Sequence, residues 1–168
     1  MIRKIDVAKQ YLEDALRLYT EARFLSALTL AGAAEEILGK SLEMTVPMHA
    51  AGVSIRPISA LGRDAESVAA FDQKLVEIGA PNFTPKSLPE IRRELLLPRN
   101  SAKHFNSLEE AALDFDAQLE AGNIIIRAIR NYRLVFPEAD DHFVCEEQDI
   151  SVDQVNKLNP FGSGKSVA

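Results

Sequence analysis

The sequence has one cysteine, no excess of positive charge and no long apolar run, and each of these absences excludes a class of protein. The single cysteine, Cys145, cannot form an internal disulfide, which is consistent with a reducing compartment. A formal net charge of −6 argues against a protein that coats nucleic acid non-specifically, although it allows a small basic pocket. No apolar run approaches the roughly 20 residues that span a bilayer, and the N-terminus lacks the apolar core of a signal peptide. We therefore expect a cytoplasmic protein that does not contact a membrane.

Apolar residues recur at spacings of three and four, which predicts helices, and no segment alternates with the period of two that is typical of strands. Pro and Gly punctuate residues 45–64, which are predicted to be an irregular link. Capping boxes beginning at Ser87 and Ser107 open the last two helices. The predicted helices span 5–22, 25–44, 65–78, a segment from 87 and 108–135.

These segments predict an all-α fold, an antiparallel up-and-down bundle of four to five helices. The bundle is expected to occupy residues 1–137, and residues 138–168 are expected to form an acidic, largely irregular C-terminal tail. Small residues at 31–34 would let a second helix approach closely, either inside the core or between two subunits.

Two patterns resemble ligand sites, but neither has the residues or the spacing that such a site needs. Residues 162–166 resemble the end of a phosphate-binding loop, but the full pattern needs a glycine at the position of Asn159. Residues 140–142 include His142 and two aspartates, yet three adjacent side chains in a tail cannot fix a coordination geometry alone. We therefore expect no metal and no cofactor.

The strongest concentration of polar chemistry lies at residues 98–105, which we interpret as the start of a new element. Arg99 offers forked donors for a phosphate, and His104 titrates near neutrality and can act as a general acid or base. Asn100 can donate to a phosphate oxygen or fix the tautomer of the histidine. On an ideal helix Arg99 and His104 lie about 140° apart. They converge only if Pro98 bends the turn or if two subunits share one cleft.

An arginine and a histidine around a phosphate are suited to metal-independent RNA cleavage, in which the ribose 2′-OH attacks the adjacent phosphorus. His104 would move the proton and Arg99 would stabilise the developing charge, with Lys103 and Glu35 as further candidate binding residues. Glu35 lies at the edge of an apolar helix face, where it is either a solvated rim residue or a partner for Arg99. The alternative for the whole motif is an arginine and a histidine on an exposed helix surface.

The combination resembles the HEPN superfamily of small helical bundles, whose mark is Arg-x(4–6)-His with a polar residue after the arginine. Arg99, Asn100 and His104 match that mark, and residues 11–15 followed by 24–40 resemble the upstream half of the family. The resemblance covers roughly residues 5–136 and implies a bundle that often dimerises, with two motifs facing one cleft. By this resemblance Arg99 and His104 correspond to the catalytic residues of the family, and Asn100 corresponds to the polar residue that supports them. Glu35 corresponds to a family residue only weakly.

Many proteins of that superfamily are metal-independent ribonucleases of toxin–antitoxin, phage-defence or RNA-processing systems, and others are non-catalytic modules. The resemblance thus implies a homodimer that acts on RNA or a nucleotide. It also implies an antitoxin or a nucleotidyltransferase-like protein as a partner. The open alternative is a non-catalytic helical module that binds a nucleotide or another protein as a dimer.

Overall fold

The computed structural model describes residues 2–44, 48–50, 53–55, 58–79, 83–103 and 115–137, together with 143 and 150. The predicted all-α helical bundle is confirmed, with five helices and one pair of three-residue strands in these ranges. No helix in the described ranges is long and apolar enough to cross a membrane. In chain order the elements are α1 (Lys4–Thr20), α2 (Phe24–Glu43), β1 (Met48–Ala50), β2 (Val53–Ile55), α3 (Ala60–Glu77), α4 (Leu88–Lys103) and α5 (Ala117–Val135).

Helices α1 and α2 begin and end within two residues of their predicted bounds, because both have a continuous apolar face. The chain reverses between them at Ala22, which has a φ of 57°. Tyr19 at the end of α1 and Phe24 at the start of α2 close the turn, with ring centroids 5.3 Å apart in an edge-to-face arrangement.

The core lies where α2 packs against both α1 and α5. Ala31, Gly32 and Ala34 are buried there, so these small residues serve a close helix approach inside one chain. The largest fully buried apolar side chains are Leu12, Leu28, Leu38, Leu42, Ile91, Ile124, Ile125 and Ile129.

Two residues of the predicted C-terminal tail, Phe143 and Ile150, are buried in this core. The ring of Phe143 lies edge-on to Tyr132 of α5, at a centroid distance of 5.1 Å. The tail therefore packs on the bundle at these two positions. Phe143 is the first apolar residue after the acidic residues of 138–142.

The link predicted at 45–64 is wrong in two respects. Strands β1 and β2 pair antiparallel, with Met48 opposite Ile55 and Ala50 opposite Val53. Helix α3 begins at Ala60, because the hydroxyl of Ser59 accepts a hydrogen bond from the amide of Gly62 at 3.3 Å and caps the helix.

The C-terminal half of α3 and the residue that follows it leave large apolar side chains in solvent. Phe71 is 60% exposed and Ile78 is 76% exposed. Asp72, by contrast, is buried, and its carboxylate accepts from the amide of Lys86 at 3.2 Å. The spacing of apolar residues therefore predicted that a helix lies here, but not which face of the helix the bundle covers.

Two further boundaries differ from the prediction. Helix α4 continues through Pro98 to Lys103, so the motif beginning at Arg99 ends a helix instead of starting one. Helix α5 begins at Ala117 and not at 108, because Asp116 is its cap and accepts from the amides of Gln118 and Leu119, both at 3.0 Å. The capping box predicted at Ser107 lies outside the described residues.

Candidate functional site

Three charged side chains from three helices meet inside the bundle. Glu35 of α2 is 3% exposed, and its Oε1 accepts from Nε of Arg127 on α5 at 2.7 Å. Nη1 of Arg99 on α4 lies 3.5 Å from the other carboxylate oxygen, Oε2. Two guanidinium groups thus face one carboxylate, and the buried cluster carries one surplus positive charge.

Arg99 lies directly against the backbone of Gly32. Its Nη1 donates to the carbonyl of Gly32 at 3.4 Å, and its aliphatic stem occupies the space that a side chain at position 32 would need. Within the described residues Nε of Arg99 is buried without a hydrogen-bond partner. The two contacts that described residues make with the guanidinium, to Gly32 and to Glu35, both use Nη1. The side chain of Arg99 is 12% exposed.

Arg127 is the most deeply buried cation of the cluster, with 5% of its side chain exposed. Besides Glu35 it contacts α4, where its Nη2 donates to the carbonyl of Leu95 at 3.3 Å. Sequence reasoning missed this residue. The available signal was a charged residue inside the apolar run from Ile124 to Ile129, since a buried cation needs an anionic partner.

Asn131, one turn after Arg127, ties the start of α3 to the helix that carries Glu35. It is fully buried, and its Oδ1 accepts from the amide of Ala60 at 2.7 Å. Its Nδ2 donates to the backbone carbonyl of Glu35 at 3.4 Å. Both polar ends of a buried amide are thereby satisfied, which fixes the backbone beside the charged cluster.

A cavity of about 210 Å³ adjoins the cluster. Its lining includes Arg99, Glu35 and Asn131, the carboxylate of Glu43, and the charged pair Glu36 and Lys40, whose side chains lie 2.7 Å apart. Pockets that enclose a whole small ligand usually measure about 300–1,000 Å³. This cavity is therefore suited to a single chemical group of a larger molecule.

The structure brings together two of the predicted site residues, Arg99 and Glu35. Glu35 is a buried partner of Arg99 and not a solvated rim residue. Asn100 is exposed on α4, and Lys103 is the last residue assigned to that helix. His104 lies outside the described residues, so its pairing with Arg99 stays a prediction.

The weaker sequence patterns at 140–142 and 162–166 also lie outside the described residues. Within the ranges that the structure covers, no group of three or more His, Cys, Asp or Glu side chains has an arrangement that could hold a metal ion. The chemistry of the described site is therefore that of guanidinium, carboxylate and amide groups.

No protein-family model matches this chain, and comparison with the curated proteins and with the solved structures gives no match. The HEPN resemblance consequently rests on the motif at Arg99 and on residues 11–15 and 24–40 upstream of it.

Proposed function

We propose that this chain is a HEPN-like protein of the cytoplasm that binds RNA and cleaves it without a metal ion. The observation that carries the proposal is the arrangement of Arg99, whose Nη1 contacts Glu35 and Gly32 of a second helix in the described part of the chain. An arginine that is fixed but incompletely paired can still accept an oxyanion, and fixing it beforehand lowers the entropic cost of binding.

The chemistry of the Arg99 guanidinium supports phosphate as the ligand. A guanidinium can hold two oxygens of one phosphate through neighbouring N–H groups, and Arg99 lines the cavity beside the cluster. The cavity that Arg99 lines has room for a phosphate group, while the ribose and base would remain outside it.

The proposed reaction divides the roles between two residues of the motif. His104 removes the proton from the ribose 2′-OH, whose oxygen forms a bond to the adjacent phosphorus, and the bond from phosphorus to the 5′ oxygen breaks as that oxygen takes up a proton from water. Arg99 stabilises the negative charge that develops on the phosphoryl oxygens. Asn100 supports the histidine or the phosphate from the same turn of the chain, and Lys103 adds a cation for the RNA backbone.

Purified protein incubated with mixed RNA and a metal chelator tests this proposal. We expect cleavage that resists the chelator and that disappears in Arg99→Ala and His104→Ala. Arg93→Ala is the matched control, because Arg93 is an exposed arginine of the same helix and makes no contact with the buried cluster in the described structure. If the wild type leaves RNA intact, or if Arg99→Ala cleaves as well as the wild type, the proposal is wrong.

A non-catalytic dimeric module is the second candidate, and two observations favour it. The side chain of Arg99 is mostly buried, as expected for a structural counter-ion of Glu35. Phe71 and Ile78 leave an apolar side of α3 exposed, which is common where proteins associate. Sedimentation at micromolar concentration together with nucleotide titration separates the candidates. A dimer whose melting temperature rises with nucleotide, but which cuts no RNA, supports the module.

The biological setting extends the first proposal. By its resemblance to the HEPN superfamily, this ribonuclease would act in toxin–antitoxin, phage-defence or RNA-processing systems, with an antitoxin or a nucleotidyltransferase-like protein as its partner. A gene for such a partner next to the gene for this chain would support that setting.

A further inference from the structure

We propose that Arg127 is a positioning residue, which neutralises Glu35 so that Arg99 remains available to a phosphate group. This inference rests on the proposed function, because it concerns how the arginine of that site is kept ready. It assigns a role to a residue of α5 that lies outside the sequence motif.

The two distances to Glu35 show which arginine the carboxylate holds. Arg127 donates from Nε at 2.7 Å, which is the length of a strong charge-assisted hydrogen bond. Arg99 lies 3.5 Å from the same carboxylate, beyond the usual range of such bonds. Glu35 thus has its main partner in Arg127, and its contact with Arg99 is the weaker of the two.

Charge balance then determines what Arg99 can bind. A buried carboxylate needs a cation, and if Arg127 were missing Arg99 would be the remaining guanidinium in contact with Glu35. Arg99 would close on Glu35 and lose its ability to hold a second anion. With Arg127 present, the surplus positive charge belongs to Arg99, which is the more exposed of the two arginines, at 12% against 5%.

Arg127 also contacts the helix that carries Arg99. Its Nη2 donates to the carbonyl of Leu95, one turn before Arg99 on α4. Pro98 lies within this turn and cannot donate a backbone hydrogen bond to the preceding turn. A side-chain donor from α5 therefore contacts α4 one residue after the carbonyl of Glu94, which receives no helical hydrogen bond from Pro98.

Three variants separate the charge of Arg127 from its packing. Arg127→Met removes the charge and keeps much of the volume, so we expect Arg99 to close on Glu35. Arg127→Lys keeps the charge, and the double variant Arg127→Met with Glu35→Gln removes the carboxylate that would capture Arg99. Arg130→Met is the control, because Arg130 lies on the same helix, is about half exposed and does not contact Glu35 in the described structure.

The first measurement is the affinity for a single-stranded oligonucleotide that has 2′-deoxyribose at each position. Such an oligonucleotide lacks the 2′-OH and cannot be cleaved by the proposed route. We expect Arg127→Met to raise Kd about ten- to a hundredfold, the value of one charge-assisted contact. Arg127→Lys and the double variant should bind within about threefold of the wild type. A double variant that binds as weakly as Arg127→Met, while remaining folded, overturns the inference.

Nitrogen-15 NMR of the arginine side chains is the second measurement, and it does not depend on activity. We expect the Nε signal of Arg99 to shift in Arg127→Met, with slowed rotation of its guanidinium, and to return toward the wild-type position in the double variant. If the Arg99 signal is the same in the wild type and Arg127→Met, Arg127 does not position Arg99. If the signal moves as expected but the wild type binds no RNA, the proposed function fails and the positioning role stands.

Discussion

A β carbon added to Gly32 would lie 2.4 Å from Cδ and 2.6 Å from Cγ of Arg99. Real β carbons do not approach other atoms so closely, so alanine at position 32 must displace the arginine from the Gly32 carbonyl and from Glu35. Glycine to alanine inside a helix normally stabilises by about 0.5–1 kcal/mol. We predict that Gly32→Ala shows no such gain and lowers the free energy of unfolding, as measured by urea denaturation.

Gly39 provides the control on the same helix. A β carbon there would meet its nearest atoms, in Asn131 and Ser59, at 3.4 Å and 3.5 Å, which is close to ordinary contact. Gly39→Ala should therefore keep most of the gain in helix propensity. Equal stability of the Gly32→Ala and Gly39→Ala variants would show that Arg99 does not lie against Gly32.

Glu35 is predicted to be the most sensitive single position of the charged cluster. Glu35→Gln leaves Arg127 and Arg99 buried without an anion, and breaking a buried ion pair in this way costs about 3–5 kcal/mol. Glu36→Gln is the matched control, because its exposed pair with Lys40 should contribute no more than about 0.5 kcal/mol. Chemical denaturation of both variants measures the difference, and similar losses would contradict the burial of Glu35.

Asp116 should stabilise the start of α5. Its Oδ1 accepts from two backbone amides, so Asp116→Ala should lower stability by about 0.5–2 kcal/mol, while Asp116→Asn should retain most of the cap. Thermal unfolding of both variants tests this expectation. A loss for asparagine as large as for alanine would mean that the carboxylate acts through something other than the cap.

The cap of α4 predicts a pH dependence. Hydrogen bonds from the hydroxyl and the amide of Ser87, at 2.7 and 2.8 Å, lower the pKa of Glu90 below its usual value. A carboxylate with a lowered folded-state pKa stabilises the protein above its unfolded-state pKa, and this contribution is lost as the pH falls through the folded-state pKa.

Glu90→Gln resembles the protonated side chain and isolates that contribution. We expect the variant to be slightly less stable than the wild type at neutral pH, because Glu90 is exposed and its interactions are screened by water. The two proteins should become equally stable in acid. Unfolding curves across the acidic range measure the difference, and a gap that widens as the pH falls would contradict the assigned direction.

Periodicity was sufficient to predict α1 and α2, because each presents one apolar face to the core over its whole length. It could not predict where α5 begins, since the box at Ser107 and the cap at Asp116 both precede the same apolar run. The strands β1 and β2 have three residues each, which is too short for an alternating pattern to be recognised. The early start of α3 was missed because Pro57 and Gly62 were interpreted as loop residues.

The candidate site was predictable only in part. Local spacing made Arg99 a candidate for binding phosphate, which stays a prediction, and the position of Glu35 at an apolar edge indicated its need for a partner. Arg127 pairs with Glu35 across 92 positions of the chain, a separation that no local pattern contains. The close approach of Arg99 to Gly32 is likewise a property of packing between α2 and α4.

Cleavage of an oligonucleotide that is deoxyribose except for one ribonucleotide tests the proposed reaction most directly. In the presence of a chelator, the wild type should cut only after the ribonucleotide and leave a 2′,3′-cyclic phosphate, identified by mass spectrometry. Arg99→Ala and His104→Ala should leave the oligonucleotide intact, and Arg93→Ala should cleave it as the wild type does. An intact oligonucleotide with the wild type, or equal cleavage of an all-deoxy oligonucleotide, would contradict the proposal.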